Sequence, residues 1–402
     1  MDIIVVGGGA SGLFFSLNAS KKGHNVTVIE RNEKVGKKLF ITGKGRCNVT
    51  SDSDNKTIMN HIVNNPKFLY SALNRWSSVD TINFFSSHGC PLVTEIGNRV
   101  FPQSGKSYDI IRTLHSECIK EGVIFIYKER VISAYKNNER FVVKTQNGRI
   151  FQSDALVIAT GGKSYSATGS SGDGYHLASS FSHHIISPVG ALVPLKVKET
   201  IPSSLFNLTL KNVTLKASGE KFSFSEFGDL EFLPSSLTGP IALTISSYIN
   251  RKDNVKLELD LKPALSEEQL TNRILREIKE KRNSVVLDLL KTLLPISFIS
   301  LFLSKCDVEE NKSLDVLLKE ERDKIVFYLK HFPFTYVGLD NIDHAIVTSG
   351  GVDVKEINPS TMESKLVKNL FFIGEVIDVD ALTGGFNIQI AFSSAYLASE
   401  AL

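Results

Sequence analysis

Three glycines at fixed spacing, Gly7, Gly9 and Gly12, constrain this chain more than any other feature. They stand between two apolar runs in DIIVVGGGASGLFFSLNASKKGHNVTVIE, residues 2–30. Residues 3–6 are β-branched and uninterrupted, as in a strand buried on both faces. Residues 10–22 put Ala10, Leu13, Phe14 and Leu17 on one side of a helix, which Gly23 stops. Residues 26–29 form a second buried strand, closing on Glu30. In such a unit Gly7 permits the sharp turn, Gly9 lets a pyrophosphate approach the backbone, and Gly12 lets the helix pack on the strand. The helix start at Ala10 and Ser11 offers unpaired N–H groups and a partial positive charge to phosphate. Glu30 is placed to accept from a ribose and would repel a 2′-phosphate. FAD or NAD is therefore favoured over NADP at this site. A glycine-rich turn in some other α/β protein is the plain alternative, but strand, helix and acid together favour a dinucleotide.

Two further glycine clusters select among dinucleotides. ALVIATGG, residues 155–162, reads as a buried strand ending in a turn at Ala159, Thr160 and Gly161. Residues 369–402 read as a strand, a loop and a long helix. A nicotinamide enzyme needs mainly the first turn, whereas a buried flavin takes contacts from all three along one sheet edge. Gly374, Glu375 and Asp378 would then lie near the ribityl chain or pyrophosphate. Gly384, Gly385, Phe386, Asn387 and Ile388 begin a helix whose N-terminus would face the flavin N1/O2 edge and favour its reduced, anionic form. Both clusters also read as structural turns.

A length of 402 residues suggests two or three domains. The net charge of +3 argues by itself for neither nucleic acid nor membrane. The 4 cysteines, Cys47, Cys90, Cys118 and Cys306, show no CxxC spacing, as expected of a reduced, cytoplasmic protein without zinc. His183 and His184 are adjacent, so on a strand they point to opposite faces, and no metal is expected. The opening apolar run lacks a basic lead and is broken by glycines, unlike a secretory signal. No run is long enough to span a membrane.

GKKLFITGKGRCNVT at residues 36–50 resembles the signature of the BaiN-type (YhiN-type) flavoproteins, also described as aminoacetone-oxidase-family FAD-binding enzymes. The resemblance continues through RVFPQSGKSYDII (99–111), ATGGKSYSATGSSGDGYHLA (159–178), SLTGPIALTIS (236–246) and residues 347–398. The chain departs from the family pattern at Lys44, at Thr50-Ser51 and at LPSSLTGP. The resemblance implies an α/β fold: a Rossmann-like FAD-binding domain of the glutathione-reductase type, with a β-meander, interrupted by an insert. The expected segments are residues 1–191, an insert at 192–340, and 341–402. The insert divides into a β subdomain (about 192–262 and 331–345) and a helical one (about 263–330).

The residues agree with that plan. Residues 192–260 carry strand signals, and residues 266–303 switch to helix behind a capping box, Ser266 and Gln269. A second helical stretch covers 313–330. Residues 129–160 read as a meander with its turn at Asn147-Gly148, the backbone near Val131 touching the adenine side of the flavin.

By resemblance the GKGRCN loop runs beside the isoalloxazine, bringing Gly45, Arg46, Cys47 and Asn48 to the cofactor, while Arg31 follows Glu30. Arg46 would stabilise reduced flavin or bind a substrate oxygen; an ion pair or phosphate contact is the alternative. Cys47 is either redox-active or a buried, inert thiol. Lys37 and Lys38 would neutralise pyrophosphate or stay solvated. Tyr165 and His176 are candidate proton donors or plain loop residues. No second GxGxxG with a following helix is present, so NAD(P)H would dock transiently over the isoalloxazine, or the electrons would come from the substrate instead.

The expected function is an FAD-dependent oxidoreductase passing hydride from NAD(P)H through flavin N5 to a small conjugated acceptor, an enone-like C=C reduction. Alternatives are an FAD-dependent amine oxidase, a flavin-bound regulator, and a flavin-dependent RNA-modifying or RNA-binding protein. The mixed charges of SEEQLTNRILREIKEKRN place nucleic acid behind a small-molecule substrate.

Overall fold

The computed structural model describes residues 1–206, 208–281 and 283–402. Asn207 and Arg282, both within the expected insert, lie outside the described residues. The chain separates into two compact units, Met1–Ala191 with Ile342–Leu402, and Leu192–Asn341.

The first unit is built on a five-stranded parallel sheet. Its strands are β1 (Asp2–Val6), β2 (Asn25–Ile29), β3 (Ile124–Ile126), β4 (Ala155–Ile158) and β5 (Leu370–Phe372), in the order β5-β4-β1-β2-β3. β4 and β5 are apolar runs buried on both faces, β1 is so from Ile3 to Val6 and β2 nearly so from Val26 to Ile29, as a parallel sheet covered by helices requires, while the edge strand β3 is more open, with Ile124 exposed. Helix α1 (Ala10–Lys21) follows β1, and the short α2 (Lys37–Ile41) follows β2. Helix α3 (Ser107–Lys120) precedes β3, and α4 (Phe386–Glu400) ends the unit. An antiparallel meander of Val131–Asn137, Arg140–Thr145 and Ile150–Ser153 carries its second turn at Gly148, φ +81°. A small sheet pairs Arg99–Pro102 with both Leu92–Glu95 and Thr50–Ser51.

The second unit has its own core around a seven-stranded antiparallel sheet, dominated by the long hairpin Thr209–Gly219 and Phe222–Leu233. Three expectations change here. Residues 240–249, read among strand signals, form a helix, Pro240–Ile249. Pro240 sits at a position that favours helix starts, and Ile241, Ala242, Ile245 and Ile249 bury at helical spacing. β-branched isoleucines suit a strand, but here tertiary burial overrides propensity. The stretch 266–303 is not one helix but Glu267–Glu280, Val286–Lys291 and Ile296–Cys306, the last starting after Pro295. The capping box at Ser266 and Gln269 is present. Helix in 313–330 begins only at Lys319, after a single tight turn at Leu314–Val316. Residues 342–345, covered both by the expected β subdomain and by the expected segment 341–402, belong to the first unit.

Candidate cofactor and active site

Register brings the three glycine turns together. Val6 pairs with Ile158, and Ile158 with Phe372, so β1, β4 and β5 end side by side and release the chain at Gly7, Ala159 and Ile373. Strands ~4.8 Å apart place these turns along one edge. The opposite neighbour, β2, ends level with β1 through Val6 and Ile29, which sets Glu30 beside the first turn.

The glycines here do different work. A Cβ on Gly7 (φ +107°) would stand 2.6 Å from the Ala159 carbonyl oxygen, and one on Gly12 would stand 2.0 Å from the Gly7 oxygen. Both positions are closed by backbone. Nothing lies within 4 Å of the position a Gly9 Cβ would take. That open space at the start of α1, where backbone N–H groups lack helical partners, fits a pyrophosphate.

Glu30 is buried and held: its carboxylate accepts from the Gly8 N–H (2.8 Å), the Asn32 N–H (2.8 Å) and Asn32 Nδ2 (2.7 Å). A carboxylate retains acceptor capacity beyond these bonds for a ribose hydroxyl. Arg31 donates to Ser171 Oγ and pairs with Asp173 at 3.1 Å, which fixes the loop after β4. Arg130, adjoining Val131, pairs with the same carboxylate at 2.7 Å. Burial opposes ionisation of Asp173, but Arg130 and Ser171 outweigh it and hold its carboxyl below the usual range.

Lys38 reaches across the edge to Glu375. Its Nζ donates to Glu375 Oε2 (2.7 Å) and Ser164 Oγ (2.7 Å), and Glu375 Oε1 accepts from the Thr348 N–H (2.9 Å). The chain after β2, the chain after β4 and the chain after β5 are thereby tied at one point. Lys37 instead pairs with Glu33 at 3.1 Å. Asp378 accepts from Asn65 Nδ2 at 2.9 Å. The Tyr175 hydroxyl is buried without a hydrogen-bond partner among the described residues; burial, then Glu375 and Asp378, push it well above the ordinary tyrosine range. An orphaned hydroxyl beside two acids at this edge fits a polar ligand.

Helix α4 starts from Gly385 (φ +91°), where a Cβ would meet the Thr50 carbonyl at 2.4 Å. Asn387 straps the preceding loop by accepting from the Ala381 N–H (2.9 Å) and donating to its carbonyl (2.7 Å). Gln389, which sequence reasoning missed, is fully buried and locks this helix start. Its Oε1 accepts from Thr50 Oγ1 (2.7 Å) and Thr81 Oγ1 (2.8 Å), and its Nε2 donates to the Trp76 carbonyl (3.1 Å) and Ser393 Oγ (3.0 Å). The signal for it was a second amide, two residues after Asn387, flanked by isoleucines in FNIQIAF.

The GKGRC loop is wound tightly: Gly43, Lys44, Gly45 and Cys47 all have positive φ. Arg46 donates to both oxygens of Glu95 and lies 4.3 Å over the Phe101 ring, so its ion-pair reading is realised. Asn48 Oδ1 accepts from the Val100 N–H at 3.1 Å. Cys47 is fully buried, and desolvation, with Cys90 adding to it, pushes the thiol far up. It is not the exposed, low-pKa thiol that redox chemistry requires. His176 is exposed on its helix, and Tyr165 is half-buried. His183 Nε2 lies 2.9 Å from Ser364 Oγ, while the His184 N–H donates to Glu356, so the two serve separate contacts. Among the described residues no group of three or more His, Cys, Asp or Glu gathers to hold a metal, and no helix is long and apolar enough to cross a membrane.

Comparisons with known proteins agree with this architecture. Residues 1–401 match the model of the HI0933-like protein Rossmann domain. A ribosomal RNA dihydrouridine synthase of Haemophilus influenzae is 33% identical, covering 98% of this chain and 96% of its own. A protein of the same description from Escherichia coli is 31% identical over 100% and 98%. A 3-dehydro-bile acid delta(4,6)-reductase of Clostridium scindens is 26% identical over 99% and 98%. Among solved structures, the 3-ketosteroid-delta4-(5alpha)-dehydrogenase of Rhodococcus jostii in complex with 4-androstene-3,17-dione shares the fold, with TM-score 0.52 and 14% identity, over 99% of this chain and 96% of that one. The chain belongs to the HI0933-like family, FAD-dependent oxidoreductases built on a Rossmann-type fold.

Proposed function

We propose that the protein reduces a carbon–carbon double bond conjugated to a carbonyl, and that its acceptor is a uracil ring of ribosomal RNA. The observation that carries this reading is the end-to-end match, at 33% and 31% identity, to two ribosomal RNA dihydrouridine synthases. The third relative is named for reduction of double bonds in a bile acid, a different molecule. The two operations share their chemistry. The uracil C5=C6 bond is conjugated to the C4 carbonyl; hydride enters at C6, a proton at C5, and charge builds on the carbonyl oxygen between the two events. The two ribosomal RNA relatives support RNA as the acceptor in our reading, where the sequence alone placed a small molecule first.

FAD, when bound, supplies the two-electron centre for this chemistry, with reduced nicotinamide as the donor in our reading. The chain contributes the rest. The open start of α1 at Gly9 receives the pyrophosphate, and Glu30 takes the ribose. Lys38 and Glu375, tied through Ser164 and Thr348, fix the chain ends around it. The first turn of α4, clamped by Gln389, presents unpaired N–H groups and the positive end of a helix dipole. Arg46 keeps N–H donors beyond those that Glu95 engages, and these can meet a carbonyl oxygen as charge develops on it.

Nucleosides from ribosomal RNA of cells with and without the gene, separated and weighed by mass spectrometry, test the substrate. Loss of a dihydrouridine on deletion, restored by the gene, is expected. An unchanged nucleoside profile would leave the small-molecule enone reading, which the bile-acid relative favours.

A further inference from the structure

We propose that the face formed by α2, the GKGRC loop and the start of α3 is where the RNA docks; this rests on the ribosomal RNA reading above. The elements of this face are joined within the first unit. Ser107 Oγ donates to the Phe40 carbonyl (2.6 Å), and the Ser107 N–H donates to the Gly45 carbonyl (2.8 Å). Arg46 extends the face to the hairpin of Leu92–Glu95 and Arg99–Pro102 through Glu95.

Charge and shape both point to a nucleic acid. Glu33, Glu95 and Asp109 are already paired with Lys37, Arg46 and Arg112. Lys34, Lys44, Arg99 and Lys106 are exposed and have no ion-pair partner among the described residues. The same elements carry two exposed rings, Phe40 of α2 at 47% and Tyr108 of α3 at 55%, with Lys34 Nζ 5.6 Å from the Phe40 centroid. Cations track a phosphate backbone, and open aromatic faces stack bases. A net charge of +3 over 402 residues gives little general attraction for RNA, so binding must come from a local patch.

Two of these lysines occupy positions that folding alone disfavours. Lys44 has φ +56°, where glycine or asparagine would relax the backbone. Lys106 is the N-cap of α3, with no side-chain cap bond, at the end of a helix dipole that repels cations. Local rules broken twice on one face mark a functional surface, and an anion resolves both the charge repulsion and the exposure.

Two variants test the proposal: K34E/K44E/K106E and Phe40→Ser with Tyr108→Ser. Each is loaded with FAD and mixed with protein-free transcripts of 16S and 23S ribosomal RNA across a salt series. FAD content and reduction by NAD(P)H are expected to stay at wild-type levels. The charge variant should bind RNA at least about tenfold more weakly, with the slope of log K against log salt reduced by about 2–3. The aromatic variant should weaken binding about tenfold or more while leaving the slope unchanged. If wild-type protein makes dihydrouridine and both variants bind and modify RNA as it does, the docking face is elsewhere and the function stands. If wild-type protein neither binds nor modifies RNA, the function falls and the face with it. Loss of self-association in the aromatic variant, with RNA binding intact, would assign the rings to a protein interface and overturn the proposal.

Discussion

The two units bury different things. In Leu192–Asn341 the core is aliphatic and aromatic, and its fully or nearly buried polar side chains are few: Ser236, Ser246, Ser247 and Glu277. The first unit buries many, among them Glu30, Thr50, Thr81, Ser164, Thr348 and Gln389, most of them clustered where strands end or α4 begins. Buried polar groups cost stability unless every bond is made. Several of these lie at the strand ends and at the start of α4, where they bond one another and the backbone. The other unit follows the ordinary rules of an apolar core.

The sharpest way to break that contrast is at the first turn. Gly9→Val fills open space and should remove FAD binding at least ~100-fold while the protein still folds, whereas Gly12→Val drives a side chain into the Gly7 carbonyl and should prevent folding. Flavin content and circular dichroism of both variants check this. Retained flavin in Gly9→Val would move the pyrophosphate elsewhere.

Phe302→Ala, in the apolar unit, should cost about 3–5 kcal/mol of that unit's stability, because the ring is fully buried. The flavin spectrum of the folded fraction should not change. Gln389→Leu probes the opposite kind of core. It takes the acceptor from the buried Thr50 hydroxyl and one bond each from the Thr81 hydroxyl and the Trp76 carbonyl, which keep Ser77 and Ser393, and should cost about 1–3 kcal/mol. Unlike Phe302→Ala, it should also shift the flavin's reduction potential to more negative values, since the start of α4 loosens. A spectroscopic titration with a redox dye reads that shift; an unchanged potential would reduce Gln389 to a packing role.

The smallest effect is a pH dependence. His331 lies between Glu258 (2.9 Å) and Glu267 (3.0 Å). Burial lowers its pKa, but the two carboxylates outweigh it and raise the pKa above 6.5. A folded-state pKa above the unfolded one gives stability fully present below about 6.5 and lost as pH rises through the folded value. Thermal melts of the second unit should therefore soften as pH rises from about 6 upward, and His331→Gln should flatten that slope. A slope unchanged by the substitution would show that these contacts carry no net stabilisation.

The same contrast explains what could be read from the amino acids alone. β1, α1 and β2 were legible because Gly7, Gly9 and Gly12 have local reasons to be glycine, and the flanking strands are buried on both faces. The capping box at Ser266 was legible for the same reason: both partners lie within one turn. Helix Pro240–Ile249 was not, because its isoleucines suit a strand until a facing sheet decides otherwise. Gln389, Ser164 and Thr348 were missed because their partners are far away in sequence: Thr50 for the first, Glu375 for the other two. Glu95 was missed likewise, and it is what turns Arg46 from a free cation into a held one. Side chains that act through distant partners leave no periodic trace.

The central claim is that this site delivers hydride to the C5=C6 bond of uracil within ribosomal RNA. Protein loaded with FAD and reduced anaerobically by NAD(P)H, then mixed with protein-free ribosomal RNA from cells lacking the gene, tests it in one step. Oxidised flavin absorbance should return, and dihydrouridine should form in equal amount. Flavin that stays reduced with RNA, but is reoxidised by a steroid enone, would contradict it.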